Sequence, residues 1–374
     1  MNKLLLTNYD GYNYIVIYNG FSFGCHAIDV DYMFVSAHDN IKELEEKLSK
    51  YDVIYYSATS KKQIDIVEPL LKKFNWVLGG PYFDNRRGYK SFGDEIGIVE
   101  DDTFTPYWNE WLKTKKVDRL QYMALCKCKC YWGKCLYCKG IYYNNEKTRN
   151  IEKVLSQLPV YTFPSEAYFI AGLATPEELR TILEYKGLPD NLKLRIQIKA
   201  EEKIFEVINK ADSLKNLRVN VGMENFCEYT ARLLNKGVTI RKTLELVKLC
   251  IDKKADVLVN IIPLISKYDE KEIDESLSWI IENFPKNVAF SVYPEIEWPD
   301  IKTAEIFGEY HTEKDDPMSR KPVFYSERII SKMKQEDIRV GQKILKTLSD
   351  NGYSISFRDE ILSYMNNRLV GGKK

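Results

Sequence analysis

The chain has 374 residues, is 44% hydrophobic and 29% charged, and carries a formal net charge of +1. This composition excludes collagen-like and disordered classes and leaves no global field to draw the protein to nucleic acid or a membrane surface. No apolar run approaches the ~18 residues of a membrane span, and Met1–Asn8 lacks the apolar core of a signal peptide, so a cytoplasmic protein is expected.

From Asn2 to about Phe83 the pattern is a small α/β unit. Apolar runs at Lys3–Thr7, Tyr14–Tyr18, Tyr32–Ser36, Asp52–Ser57 and Asn75–Leu78 read as strands. Asn40–Lys50, with Ile41, Leu44 and Leu48 at helical spacing, and Lys62–Phe74 read as helices. Their alternation predicts a parallel, Rossmann-like sheet. Residues 84–118 read as a linker containing Tyr107, Trp108 and Trp111, with a short helix over Tyr107–Leu112.

From Arg119 the alternation returns and persists. Strands are expected at Leu120–Leu125, Ala167–Ile170, Leu192–Ile198, Leu217–Val221, Asp256–Ile262 and Asn287–Tyr293, with helices between them. Thr175-Pro176-Glu177-Glu178 is a helix start: a Thr cap, Pro at the first helical position, and Glu three residues after the cap. Six βα-type units predict a partial or full barrel or a doubly wound sheet, with the chemistry at the carboxyl ends of the strands. Pro294–Pro322 is irregular, and Ser326–Asn351 reads as helical.

Five of the eight cysteines fall between Cys126 and Cys138, directly after the first of these strands. Their spacing is C-x-C-x-C-x4-C-x2-C. Thiols this dense in a large chain indicate a metal or cluster site in a reducing compartment rather than a disulfide framework. They can hold zinc or an iron–sulfur cluster, although a structural zinc site usually adds a distant second pair. Cys126 and Cys128 share strand parity with Cys130, so Cys128 is an alternative ligand to Cys130; otherwise the two pack the strand end. Cys227 and Cys250 fall in helical segments and read as core, and Cys25 has no assignment.

Cys130-Tyr131-Trp132-Gly133-Lys134-Cys135-Leu136-Tyr137-Cys138 resembles the cluster loop of radical SAM enzymes, with the usual C-x3-C-x2-C lengthened by one residue in its first gap. Tyr137, the aromatic before the last cysteine, matches a family habit. Val77-Leu78-Gly79-Gly80-Pro81, Gly222-Met223-Glu224-Asn225 and Leu233-Leu234-Asn235-Lys236-Gly237 resemble stretches of the branch that carries a cobalamin-binding-type domain ahead of the barrel.

The resemblance implies a small Rossmann-like N-terminal domain (1–83), a linker (84–118), a radical SAM partial (βα)6 TIM-type barrel (119–298) and a C-terminal helical region (299–374). It implies a [4Fe-4S] cluster on Cys130, Cys135 and Cys138, and S-adenosylmethionine cleaved by one electron to a 5′-deoxyadenosyl radical that abstracts hydrogen from substrate. Lys199 would face the methionine carboxylate, in place of the more usual Arg, and Glu224 the nucleoside. Gly172 lies where the methionine amino group binds, although Gly172–Thr175 lacks the usual signature there. Tyr293 and Glu295 end the sixth strand, facing the site, with a core position as the alternative for the tyrosine.

Cobalamin is expected to be absent. The chain has only three histidines, His26, His38 and His311, none in a D-x-H-x-x-G motif, and no long helix is expected between Tyr9 and Asp31. Ten Lys or Arg against two acids between Lys113 and Arg149 suggest a docking surface for flavodoxin or ferredoxin or for a peptide. The resemblance implies a ribosomally made peptide as the substrate, since many relatives act on such peptides, and the aromatic linker with the basic stretch suggests a grip on an extended chain. Cobalamin-assisted methylation or chemistry on a small metabolite is the alternative reaction. A non-catalytic zinc-binding interaction protein is the alternative of another class.

Overall fold

Three successive leucines open the first strand because it is buried on both faces. In β1 (Lys3–Asp10) every residue from Leu4 to Tyr9 is buried, the signature of a central parallel strand. The computed structural model describes residues 1–11, 13–17, 26–58, 61–79, 95–99, 103–127, 130–135, 149–263, 268–292 and 334–356, with 359, 362, 365 and 366. β1 is flanked by β4 (Asp31–Val35) and β5 (Val53–Ser57), and β6 (Trp76–Gly79) follows β5, all parallel. The helix Ile41–Leu48 is capped by the Asn40 side chain, which accepts from the amides of Lys42 and Glu43. The second helix is shorter than its apolar pattern suggests: it spans Lys61–Val67 and tightens into a 3-10 turn over Glu68–Leu70. Pro69 has no amide to continue the helical ladder and crowds the preceding turn.

At its end β1 turns back through Gly11, whose φ of +83° suits glycine. A Cβ there would also meet the Tyr14 carbonyl. The returning strand, β2 (Tyr14–Ile17), is antiparallel to β1 and parallel to β8 (Arg119–Lys127). The two units therefore share one sheet. β8 begins a parallel series that continues through β9 (Ser165–Leu173), β10 (Leu192–Ile198), β11 (Leu217–Glu224), β12 (Asp256–Ile261) and β13 (Ala289–Val292). A short strand, β14 (Ser354–Ile355), extends it beyond β13. Apart from this sheet, β3 (His26–Ala27) pairs antiparallel with β7 (Ile98–Val99).

The anticipated capping box is present. Thr175 Oγ1 accepts from the Glu178 amide at 3.2 Å, and Glu178 Oε2 accepts from the Thr175 amide at 2.7 Å, opening the helix Pro176–Glu184. Helices Ile151–Gln157, Glu202–Lys210, Ile240–Asp252 and Glu270–Asn283 turn their buried residues toward the barrel core. The C-terminal helix covers Gln335–Asp350, and residues 326–333 of the expected helix lie outside the described residues. No described helix is long and apolar enough to cross a membrane.

The linker aromatics brace the two units. The helix Trp108–Leu112 buries Trp108 completely, against Phe104 and Tyr122. Trp111 stacks on Phe34 at 4.8 Å and meets Tyr9 edge-on at 4.6 Å, while Tyr107 stacks on Tyr32. Trp108 therefore has no surface to offer a substrate, whereas Tyr107 and Trp111 are half-buried and also line a cavity with Asp39, Lys47, Glu110 and Lys115.

Candidate active site

β8 runs straight into the cysteines, and its register with β9 shifts beyond Met123. Cys126 is fully buried at the strand end; its thiol donates to the Arg149 carbonyl at 3.3 Å, and burial pushes it up to about 12. A neutral, internally bonded thiol of this kind is a packing residue. Beside it, Lys127 is buried as an ion pair with Glu178 at 2.7 Å and also donates to the Leu173 carbonyl at 3.2 Å. This pair ties the cysteine strand to the helix after β9.

Among the described residues Cys130 and Cys135 form no disulfide, and both line a cavity with Trp132, Leu173, Gln197, Lys199, Gly222 and Lys236. The cavity lies at the carboxyl ends of β9, β10 and β11, where parallel barrels carry their chemistry. Cys128, Tyr137 and Cys138 lie outside the described residues, as do Cys25, Tyr293 and Glu295. Among the described residues no three metal-ligating side chains converge. Gly172 is buried next to Leu173 at the end of β9.

Lys199 is 5% exposed, pairs with Glu201 at 3.1 Å, and holds Nζ 3.1 Å from the centre of the Trp132 indole. Burial pulls its ammonium below the ordinary lysine range. Glu224 ends β11 in the left-handed region, with φ of +67°. Its carboxylate folds back over Gly222 to pair with Lys236 at 2.8 Å. Gly222 has no room for a side chain, since a Cβ would come within 2.7 Å of Lys236 Nζ and closer still to Glu224 Oε1.

The 235–237 turn also fixes the cysteine loop. Trp132 Nε1 donates to the Asn235 carbonyl at 3.1 Å, and Asn235 Nδ2 donates back to the Lys134 carbonyl at 2.9 Å. Asn235 and Gly237 both have positive φ, +52° and +70°, so the turn presents a carbonyl and a bare backbone to the indole. Sequence reasoning singled out the Asn-Lys-Gly stretch only as a resemblance. Its signal was physical: Asn and Gly, the residues most at ease in the left-handed region, sit two apart just after a helix.

Two thiols on one loop, with the ammonium groups of Lys199 and Lys236 around the same cavity, suit a negatively charged thiolate-bound cluster. No family model and no curated protein matches the sequence. Among solved structures, the radical S-adenosylmethionine methyltransferase TsrM from Kitasatospora setae, with tryptophan and an S-adenosylmethionine analogue bound, aligns over 100% of both chains at a TM-score of 0.53 and 10% identity. The chain shares the fold of that methyltransferase. The cobalamin-dependent enzyme OxsB aligns over 87% of this chain and 58% of its own, with a TM-score of 0.47 and 11% identity. This chain thus spans little more than half the length of OxsB. Within this fold, Cys130 and Cys135 occupy the loop after the strand β8, and Lys199 and Glu224 stand at the ends of β10 and β11.

Proposed function

We propose that this chain is a radical SAM enzyme in which Cys130, Cys135 and Cys138 hold a [4Fe-4S] cluster beside bound S-adenosylmethionine. The observation that carries this reading is the pair of thiols, in no disulfide, on one loop, lining a lysine-flanked cavity at the carboxyl ends of the parallel series β8–β13. When bound, the cluster supplies the electron that cleaves S-adenosylmethionine, yielding methionine and the 5′-deoxyadenosyl radical that takes hydrogen from substrate. The chain's own residues orient and shield. Lys199 would offer a point charge to the methionine carboxylate, Gly172 would lie by the methionine amino group, and Glu224, paired with Lys236, would meet the nucleoside. Tyr137, which directly precedes Cys138 in the sequence, would accompany the last ligand.

Anaerobic reconstitution tests the proposal. The protein should take up about four irons and four sulfides, absorb near 400 nm, and release 5′-deoxyadenosine with reductant and S-adenosylmethionine. Stoichiometric zinc without that absorbance would favour the non-catalytic alternative. The substrate we propose is a ribosomally made peptide, with flavodoxin or ferredoxin docking on the basic Lys113–Arg149 stretch. Deuterium from a labelled peptide should enter 5′-deoxyadenosine.

We also propose that the N-terminal unit holds no corrin, although one TsrM structure contains cobalamin and a [4Fe-4S] cluster. Two features support this. In a doubly wound sheet a ligand sits beyond the carboxyl ends of the strands, where the strand order switches. Here the order is β4-β1-β5-β6, so that point lies between β1 and β5. It is closed by the chain itself: the buried Tyr56 hydroxyl donates to Asn8 Oδ1 at 2.5 Å, and Asn8 Nδ2 donates to the Ser57 carbonyl at 3.3 Å. Moreover, β1 runs opposite to β2 and β8, so its carboxyl end lies beside Gln121 of β8, whereas the cysteines follow Lys127. Six residues of strand are about 20 Å, too far for a corrin to exchange a methyl group at the cluster mouth. Hydroxocobalamin should give no spectral shift with the purified protein.

A further inference from the structure

Among the described residues, the inward face of the barrel strands carries more cations than carboxylates. Along β10, Leu194, Ile196 and Ile198 are buried against the helices, while Lys193, Arg195 and Gln197 alternate with them on the opposite face. Gln197 lines the cysteine cavity, so Arg195 lies on the same face one pleat, about 7 Å, below it. Around Arg195, Arg119 and Arg218 share the single carboxylate of the buried Glu166, at 3.2 and 2.9 Å, and Lys193 pairs with Asp256. Four cations therefore face two carboxylates. Among the described residues, Arg195 is the cation with no ion pair.

Its guanidinium is nevertheless held in place. It lies over the Tyr168 ring at 4.8 Å. With the Asn220 amide turned to satisfy both groups, Asn220 Oδ1 accepts from Nε at 3.0 Å and from Nη2 at 3.1 Å. Asn220 is fully buried, so this acceptor costs its desolvation unless the arginine stays. One edge of the fork is thus occupied by a neutral partner. The end-on edge, Nη1 with the second N–H of Nη2, meets no carboxylate among the described residues. Nearby, Arg218 Nε is buried without a hydrogen-bond partner. A ring of charges that only plugged the barrel base would be expected to balance. Here the imbalance falls on the residue nearest the cavity.

We propose that Arg195, stacked on Tyr168 and aligned by Asn220, is a substrate-anchoring site that binds a carboxylate below the reaction cavity. The planar end-on edge matches a carboxylate through two parallel hydrogen bonds. This rests on the reading of the cavity as a radical site, because only then does a molecule anchored at Arg195 extend toward the reacting centre. For the proposed peptide substrate, the anchored group would be an acidic side chain or a C-terminal carboxylate.

The test is a titration of the full-length protein, followed by ligand-observed NMR, with benzoate, its neutral isostere benzamide, and phenylphosphate. Benzoate should bind, and benzamide should bind at least about tenfold more weakly. Arg195→Gln should cost benzoate at least about tenfold. Asn220→Asp, which supplies Arg195 with an internal carboxylate and keeps the side-chain volume, should cost as much, so a poorly folding Arg195→Gln would not decide the outcome. Benzoate affinity unchanged in both variants, equal binding of benzamide, or no binding at all would overturn the site. Tight phenylphosphate binding without benzoate binding would overturn its carboxylate assignment. The titration needs no cluster. A wild-type protein that binds benzoate but never assembles iron and sulfide would therefore defeat the radical reading alone.

Discussion

Gly237 is the position where one methyl group should unsettle the cysteine loop. At φ of +70°, alanine costs about 1–2 kcal/mol. Its Cβ would also lie 3.0 Å from Trp132 Cε2 and closer to Cζ2 and Cη2, where ordinary carbon contacts are about 3.5–4 Å. The indole must move, which gives up its bond to the Asn235 carbonyl, about 1 kcal/mol. It also gives up its stack on the buried Lys199, about 0.5–2 kcal/mol. Gly237→Ala should therefore destabilise by about 3–4 kcal/mol. In a Trp132→Ala background only the backbone cost, about 1–2 kcal/mol, should remain. Urea unfolding of the four-member cycle measures the difference. Alkylation of Cys130 and Cys135, mapped by mass spectrometry, should quicken in each single variant as the loop loosens. Additivity within about 0.5 kcal/mol would show that the ring and the glycine are not coupled, and the clasp would have to be abandoned.

Replacing Cys130, Cys135 or Cys138 with Ala should abolish the absorbance near 400 nm, whereas Cys126→Ala should keep most of it, because the Cys126 thiol is already committed to Arg149. Lys236→Met should destabilise by about 3 kcal/mol in chemical unfolding, since it removes the ion pair of the buried Glu224 carboxylate. Glu224→Ala should weaken S-adenosylmethionine binding by calorimetry more than it lowers iron content; unchanged affinity would make the residue purely structural. Cys250 titrates at about 12 when folded because burial disfavours its thiolate, against 9.0 unexposed to that burial. The unfolded chain thus releases this proton first as pH rises. The associated stability should be present below pH 9 and lost as pH rises toward 12. Cys250→Ala should flatten that part of the stability profile.

Much of the barrel was legible because its signals are local. Alternating runs such as Leu192–Ile198 mark strands buried on one face, and Thr175-Pro176-Glu177-Glu178 spells out its own cap. What stayed hidden depends on partners distant in sequence. Nothing near Tyr14 announces that β2 will pair with β8, because edge pairing is settled by whichever strand arrives beside it. The linker aromatics look like exposed rings until Tyr9, Phe34 and Tyr122 are brought against them. Arg195 reads as an ordinary polar position in an alternating strand, and its unbalanced charge emerges only from four neighbouring strands at once. Trp132 falls within a motif read for its cysteines, and its partners lie about a hundred residues downstream.

The seam between the two units also bears on how the chain is made. β2 finds its second neighbour, β8, about a hundred residues later in synthesis. At about 5–20 residues per second, the first unit waits roughly 5–20 s with an unpaired strand edge. That edge carries Ile15, Val16 and Ile17, and such edges recruit other chains. A nascent or truncated chain ending before Arg119 should therefore be sticky, and soluble expression should recover once β8 is included to cover it.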